Sequence, residues 1–364
     1  MDESIAESSS EDAVSESDSS ITASSENSTA LSPNVESSSV ASSLISSAAS
    51  SITPTEAVSN GIDLITDLKF EHGFTVKGLG GDQGTTGTVG IFNYLNLPGR
   101  PFWTLAQWAS KYDFMDQAVT TFSDLGNGVF NYTNPTKDFT IDTRNGMLTF
   151  GAVSSNCYDA PRTSGSEPWF HLLIESTFSV GGSNPNAKVS DLKSVRVDLS
   201  SRLTKFEDMM DGQDNPGLHA AQFLMYLAIQ NQDVKSADYG QMIWFGFSIF
   251  DNRYEWLGPS SQYDKGTKSL IVGIGNRRLF DYNNNYFFRN GQIYANPDNR
   301  WASFSIDVAD DISDAYDTAR SQGYFQNTSF DQLYISGMNI GWEIPGIYDC
   351  EVQTKDLRIV VEKR

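Results

Sequence analysis

The stretch that decides the fold is PWFHLLIES, residues 168–176. Its side chains alternate with a period of two, which is the period of a β-strand rather than of a helix. One face is apolar and consists of Phe170, Leu172 and Ile174. The opposite face carries an aromatic ring, an imidazole and a carboxylate, from Trp169, His171 and Glu175. The pattern predicts a strand with an apolar back, whose front is either an ordinary solvated surface or the floor of a site.

Composition divides the chain of 364 residues into two parts. Residues 1–60 are rich in Ser and contain ten acidic residues but no Lys, Arg or aromatic residue. Such a segment cannot bury enough apolar surface to offset the entropy lost on ordering, so we predict a disordered, acidic tail or stalk. Residues 61–364 keep a net charge of −11, which is the total of −21 less the −10 of the tail. Their length and aromatic content predict one large domain.

Charge and hydropathy exclude two classes of partner. An acidic chain without a basic stripe repels the phosphate backbone, so we expect no binding of nucleic acid. No run of eighteen or more apolar residues exists, so we expect no membrane insertion. No signal peptide is evident, because acidic residues follow Met1 directly. A Ser-rich stalk before an aromatic-rich domain is nevertheless typical of a secreted or cell-surface protein.

Alternating runs recur along residues 61–364 and are separated by Gly and Asn. Asn-Gly turn signals stand at 127–128, 145–146 and 290–291. Many short strands with such turns predict an all-β fold, an antiparallel β-sandwich or jelly roll. One or two short helices complete it. The apolar spacing in DVADDISDAYDTARSQG predicts a helix with Asp307 as N-cap and Gly323 as stop, and FWTLAQWASKY is a candidate for a shorter one.

Metal and cofactor motifs are sparse. The glycine-rich segment 78–87 lacks the spacing and the Lys of a phosphate-binding loop, and His and Cys show no zinc spacing. We therefore expect no cofactor. The acidic turn EDMMDGQDNPG, residues 207–217, is the one candidate for calcium, although it departs from the EF-hand loop and an acidic turn is more often only solvated. Cys157 and Cys350 either form one disulfide or are two unpaired thiols.

The polar and aromatic pattern of the opening stretch recurs in three other segments. They are HAAQFLMYLAIQNQ with Gln222, Tyr226 and Gln230, the end of GQMIWFGFSIFDNR with Asp251 and Arg253, and MNIGWEIPG with Trp342 and Glu343. Trp and Tyr rings cover the apolar face of a pyranose, while amide, carboxylate and guanidinium groups bind its hydroxyls. The predicted glycan-binding residues are Trp169, His171, Gln222, Tyr226, Gln230, Arg253 and Trp342.

Cleavage of a glycosidic bond needs two carboxyl groups, one to protonate the leaving oxygen and one to act as nucleophile or base. Glu175, Asp251 and Glu343 form the catalytic shortlist, because each lies in a strand or at its end, beside aromatic residues. The alternative for any one of them is a solvated carboxylate, and Asp251 and Arg253 can simply pair with each other.

The runs YDAPR…EPWFHLLIES, GLHAAQFLMYLAIQNQ, WFGFSIFDNR and MNIGWEIPGIYD resemble a group of secreted bacterial proteins over residues of about 65–364. More loosely, the strand pattern resembles the concanavalin-like jelly rolls of polysaccharide hydrolases, lyases and lectins. The E-x-D-x-E signature of jelly-roll glucanases is absent, and HAAQ does not reproduce the Gln-x-His element of alginate-lyase-type jelly rolls. The resemblance therefore assigns no catalytic residue.

These observations support three hypotheses. The first is an extracellular protein that acts on a polysaccharide, as a glycoside hydrolase or a lyase, through carboxylates in a concave polar-aromatic cleft. The second is a non-catalytic carbohydrate-binding module or surface adhesin. The third is a structural surface protein without a ligand.

Overall fold

The computed structural model describes residues 61–80, 86–264, 266–295 and 298–364. The predicted tail, residues 1–60, lies outside the described residues. In chain order the strands are β1 (Ile62–Asp63), β2 (Phe74–Lys77), β3 (Thr88–Phe92), β4 (Trp103–Ala106), β5 (Thr121–Gly126), β6 (Val129–Asn134), β7 (Lys137–Asp142), β8 (Met147–Val153), β9 (Phe170–Thr177), β10 (Leu192–Asp208), β11 (Gln222–Asn231), β12 (Met242–Asp251), β13 (Ser260–Asp264), β14 (Ser269–Gly273), β15 (Phe288–Arg289), β16 (Gln292–Ile293), β17 (Ala302–Asp307), β18 (Leu333–Ile344) and β19 (Tyr348–Lys363). Helix α1 spans Ala309–Ser321, and short 3₁₀ turns lie at Ser154–Asn156, Pro185–Ala187, Val189–Asp191, Asn276–Arg278 and Phe330–Gln332.

Two large sheets form the sandwich. Sheet 1 has eight strands in the order β17-β10-β19-β8-β7-β6-β5, with β1 also paired to β19. Sheet 2 has nine strands in the order β13-β14-β12-β11-β18-β9-β4-β2-β3. The pairings of β2 with β4 and of β12 with β14 are parallel, and the other pairings of the two sheets are antiparallel. The predicted antiparallel β-sandwich of jelly-roll type is thus confirmed.

The core lies between the apolar faces of the two sheets. Phe150 of sheet 1 meets Phe223 of sheet 2 edge to face, with ring centroids 5.5 Å apart. Trp342 packs against Phe223 at 5.2 Å and donates its indole N–H to the carbonyl of Phe150 at 2.9 Å. Its exposure is 0 %. The expectation that Trp342 binds a glycan is therefore wrong, because its side chain points into the core between the two sheets.

One of the two expected helices forms. Helix α1 buries Ile312, Ala315 and Ala319, as the apolar spacing predicted. It begins two residues after Asp307, whose carboxylate accepts the N–H of Ala309 at 3.0 Å although Val308 occupies the N-cap position. The second expected helix is wrong, because FWTLAQWASKY supplies strand β4. Its Trp103 and Leu105 are both buried, a period of two that suits a strand.

Both cysteines are free thiols, so the disulfide alternative is not realised. Burial raises the pKa of the Cys157 thiol to about 12 and raises that of Cys350 as well. Along the described ranges, no helix combines the length and the apolar character that crossing a membrane requires.

Candidate functional site

The candidate site lies on the face of sheet 2 that points away from the core, which we call the open face. Strand β18 lies between β9 and β11 and pairs with both. In register across these strands stand Glu175 of β9, Asn339 of β18 and Tyr226 of β11. A second row lies four residues further along these strands and contains His171 of β9, Glu343 of β18 and Gln222 of β11, followed by Asp251 of β12. The four sequence segments therefore do share one face, although β9 and β11 are not neighbours.

A groove of about 500 Å³ lies over Glu175 and Asn339 of the first row. Glu175 and Asn339 lie on one part of its floor, and Gln230 and Trp244 on another. Among the described residues Asn339 makes no side-chain hydrogen bond, so its amide faces the groove unengaged. The indole N–H of Trp244 donates to the hydroxyl of Thr267 at 3.1 Å, which ties the turn after β13 to the groove wall.

Glu175 is engaged by a cation. The ammonium group of Lys77, on β2, forms an ion pair with its carboxylate. Glu175 retains 25 % of its side-chain surface and Lys77 retains 32 %, so the pair lies at the groove and is not sealed in the core. Glu343 pairs with His171, and Glu175 lies four residues from His171 on the same strand. The Cα atoms of Glu175 and Glu343 are therefore about 13 Å apart along the strand direction.

Asp251 is held by Arg253 and by Gln222. The guanidinium of Arg253 donates to both carboxylate oxygens of Asp251, at 2.9 Å and 2.6 Å, and the Gln222 amide donates at 2.8 Å. Only 1 % of Asp251 is exposed. A carboxylate so enclosed and paired is poorly placed to attack a sugar, so we assign Asp251 the task of positioning Gln222 and Arg253. This outcome corresponds to the alternative in which Asp251 and Arg253 pair with each other.

Glu343 is the carboxyl group with the most unusual environment. Burial, followed by the negative charge of Asp264, raises its pKa to about 7, against a smaller opposing effect of a hydrogen bond from Trp169. The side chain still keeps 25 % of its surface, so the group is shielded but reachable from the open face. A carboxyl group with this pKa holds its proton over much of the neutral range and can donate it.

His171 lies beside Glu343 as a neutral ring. Its Nε2 is 4.0 Å from a carboxyl oxygen of Glu343, and burial lowers its pKa to about 4. Its Nδ1 lies 2.8 Å from the carbonyl of Trp169, and since a carbonyl can only accept, we assign the ring proton to Nδ1. The Nε2 lone pair then faces Glu343. The rings of Trp169 and Trp108 flank the imidazole at 5.3 Å and 5.5 Å and form an aromatic wall.

Asp264, at the end of edge strand β13, is the residue that sequence reasoning missed. Its negative charge adds to the raised pKa of Glu343 and of Tyr226, and it partly opposes the lowering of the pKa of His171 by burial. Its carboxylate accepts the backbone N–H groups of Gly266 at 2.9 Å and Thr267 at 3.2 Å. These bonds hold Asp264 at the turn that Trp244 also contacts.

The ring of Tyr226 lies over a glycine of the neighbouring strand β12. The ring lies against Gly246, where an added Cβ atom would come within 2.9 Å of a ring carbon. The ring of Trp244 meets it at 5.9 Å in an edge-on geometry. Burial, with Glu343 and Asp264 adding to it, raises the pKa of the phenol well above its usual value, so Tyr226 stays neutral and offers one O–H to a ligand.

Two other expectations concern Gln230 and the acidic turn at 207–217. Gln230 lines the groove and donates to the carbonyl of Gly240 at 3.0 Å. Across the described part of the chain, no three His, Cys, Asp or Glu side chains come together in a group that would hold a metal ion, which leaves the calcium candidate at 207–217 without support. In that turn Asp214 instead accepts the hydroxyl of Tyr348 at 2.5 Å.

Comparisons with known proteins give weak likenesses to solved structures. No protein-family model and no curated protein sequence matches the chain. The endoglucanase Cel12A from Rhodothermus marinus is 12 % identical with a TM-score of 0.35, covering 67 % of this chain and 97 % of its own. A family 12 xyloglucanase from Bacillus licheniformis is 10 % identical with a TM-score of 0.34, covering 67 % and 86 %. The family 11 xylanase from Neocallimastix patriciarum is 8 % identical with a TM-score of 0.34, covering 68 % and 97 %. Likenesses of this degree assign neither activity nor site residues to this chain.

Proposed function

We propose that this protein hydrolyses glycosidic bonds of a polysaccharide bound across the open face of sheet 2, with Glu343 as the general acid. The observation that carries the proposal is the pKa of Glu343, raised to about 7 by burial and by Asp264. Acid-base cleavage of an acetal requires two carboxyl groups, one that donates a proton and one that acts as nucleophile or base. We assign Glu343 to the first role and Asp264, at the end of β13, to the second.

The chemistry follows from these two roles. Glu343 transfers its proton to the leaving oxygen as the bond between that oxygen and the anomeric carbon breaks. Asp264 either attacks the anomeric carbon, which gives a glycosyl-enzyme that a water deprotonated by Glu343 then hydrolyses, or takes a proton from a water that attacks this carbon directly. One of its oxygens already accepts the backbone N–H and the hydroxyl of Thr267, and the other accepts the N–H of Gly266, which leaves acceptor capacity on that second oxygen.

Other side chains of the open face provide the groups that bind the polysaccharide. The rings of Trp169 and Tyr226 offer stacking surfaces for pyranose rings, and Gln222, Gln230 and Asn339 offer amides for hydroxyl groups. His171 is neutral at physiological pH and lies beside Glu343, with its Nε2 4.0 Å from a carboxyl oxygen. Such a substrate is a polymer outside the cell, which agrees with a secreted or cell-surface location and with a Ser-rich stalk.

The test is release of reducing ends from a panel of β-glucan, xylan and alginate by the whole chain. We expect Glu343→Gln and Asp264→Asn each to lower kcat by at least about 100-fold, because each change removes a proton donor or a charge while keeping its shape. Glu207→Gln, an exposed carboxylate at the end of β10 in sheet 1, is the matched control and should leave turnover unchanged. Wild-type turnover that survives Glu343→Gln would overturn the assignment.

A binding-only role is the second candidate, and one observation favours it. Glu175 and Glu343 are about 13 Å apart along their strands and Asp251 is sealed by Arg253, so no two carboxyl groups of the sequence shortlist act together. If binding alone is the function, no polysaccharide of the panel is cleaved, and Glu343→Gln weakens affinity by about 1 to 3 kcal/mol. Products with an unsaturated uronate end, detected by ultraviolet absorbance, would instead indicate a lyase.

A further inference from the structure

A second cavity, which we call the hairpin cavity, lies outside the open face. It has a volume of about 410 Å³ and is formed by the segment that follows β12 and by the β15–β16 hairpin with the residues before and after it, including Arg300. Its size falls within the range of small-molecule sites. None of the residues placed in the groove above lines it.

The cavity is preformed, because its walls are fixed to the core and to each other. Phe287 and Phe288 of the hairpin segment pack against Phe250 of β12, at 5.6 Å and 5.9 Å between ring centroids. The amides of Asn276 and Asn285 both donate to the carbonyl of Glu255, at 2.9 Å and 3.1 Å. The wall that carries Trp256 is thereby held against the wall that carries Tyr282.

Two aromatic rings stand at the mouth of the cavity. Trp256 and Tyr282 lie 4.7 Å apart between centroids with their planes inclined by 59°. Tyr282 is 80 % exposed, the highest value among the large apolar side chains of the described residues. Because the ring of Tyr282 remains in water, it does not gain the free energy of burial. The two inclined rings offer two separate flat faces to a ligand.

Polar groups with free bonding capacity surround these rings. The guanidinium of Arg289 lies over the ring of Tyr294 at 5.4 Å and makes no hydrogen bond to the described residues. The side-chain amides of Asn283 and Asn290 are exposed and likewise make none. The carboxylate of Glu255 also lines the cavity.

We propose that the hairpin cavity binds a neutral glycan chain, separately from the groove on the open face. Flat rings beside unengaged amides and a guanidinium match the alternation of apolar C–H faces and hydroxyl groups on a pyranose. The charge of Glu255 offsets that of Arg289, and Arg300 forms an ion pair with Asp298 at 3.1 Å, so the lining presents no net charge to a phosphate or a uronate. Rings inclined by 59° cannot clamp one planar base between them. The proposal does not require the open face to be catalytic.

The test is a set of binding isotherms of the whole chain on insoluble β-glucan, xylan and polygalacturonate, all in a Glu343→Gln background so that no substrate is consumed. We expect Tyr282→Ala to weaken binding to a neutral polymer about fivefold to tenfold, the loss of one stacking contact. Tyr282→Phe keeps the ring and should bind as before. Phe122→Ala, an exposed aromatic residue on edge strand β5, is the matched control and should also bind as before.

Three outcomes would overturn the proposal. They are unchanged binding of Tyr282→Ala to both neutral polymers, an equal loss in Phe122→Ala, and a Tyr282-dependent affinity for polygalacturonate alone. Tyr282 is so exposed that its replacement by Ala leaves folding intact, which equal melting temperatures of the variants would verify. Because the isotherms require no turnover, failure of the hydrolytic proposal would not affect their outcome.

Discussion

Glu343 combines a carboxyl group with an environment that resists its ionisation. In the unfolded chain its pKa returns to an ordinary value near 4.5, whereas in the folded chain it is about 7. The folded state therefore holds a proton that the unfolded state releases as the pH rises between these two values. Stability from this group is complete below pH 4.5 and is lost as the pH rises through 7.

Glu343→Gln should consequently stabilise the protein at alkaline pH and have no effect in acid. We expect a gain of about 1 to 3 kcal/mol in the free energy of unfolding at pH 8.5, the full linkage value being reduced because the side chain is partly exposed. Denaturant unfolding of both proteins at pH 4 and pH 8.5 measures it. Equal stabilities at pH 8.5 would mean that the folded structure does not hold this proton.

Catalysis titrates with the same group in the proposed mechanism. Only protonated Glu343 donates to the leaving oxygen, so kcat/KM should fall as the pH rises through about 7. This decline should follow the group that sets the stability difference, since a single proton governs both. A decline centred several pH units away would separate the catalytic acid from Glu343.

Strand alternation allowed part of the site to be predicted from the sequence. In 168–176 and 222–231 every second residue lies on the open face, because successive side chains of a strand point to opposite faces of the sheet. The same rule puts Trp342 and Glu343 on opposite faces, so one of the two had to enter the core. Strand order was not accessible, because the insertion of β18 between β9 and β11 is a pairing across more than a hundred residues. Asp264 also carried no signal, since its surroundings in the sequence resemble an ordinary turn.

The close contact between neighbouring strands β11 and β12 provides a prediction at this scale. The ring of Tyr226 needs the bare backbone of Gly246, so Gly246→Ala should displace the ring and destabilise the protein by about 1 to 3 kcal/mol. Thermal unfolding and the near-ultraviolet circular dichroism of aromatic residues report both effects. Gly258→Ala is the control, because its added methyl group meets nothing within 4 Å. A melting temperature of Gly246→Ala equal to that of Gly258→Ala would contradict the contact.

Composition gives an expectation for the whole molecule. Residues 1–60 carry ten acidic residues and no aromatic residue, so they have little to contribute to a packed core. A chain of residues 61–364 should have the melting temperature of the full chain to within about 1 °C. Calorimetry of the two chains under identical buffer conditions measures the difference. A fall of several degrees on removal of residues 1–60 would show that they stabilise the domain.

The positions of β18 and β19 have a consequence for how the molecule is made. Both follow the other strands of their sheets in the sequence, yet β18 occupies the middle of sheet 2 and β19 lies between β10 and β8 in sheet 1. While a ribosome is still translating residue 332, the nascent polypeptide can assemble only separated half-sheets with unsatisfied edges, which invite association with other chains. The strand that carries Glu343 joins these half-sheets once it has left the ribosome. Biogenesis of the groove therefore has to wait for β18, and until β18 has inserted the nascent polypeptide is at its most aggregation-prone.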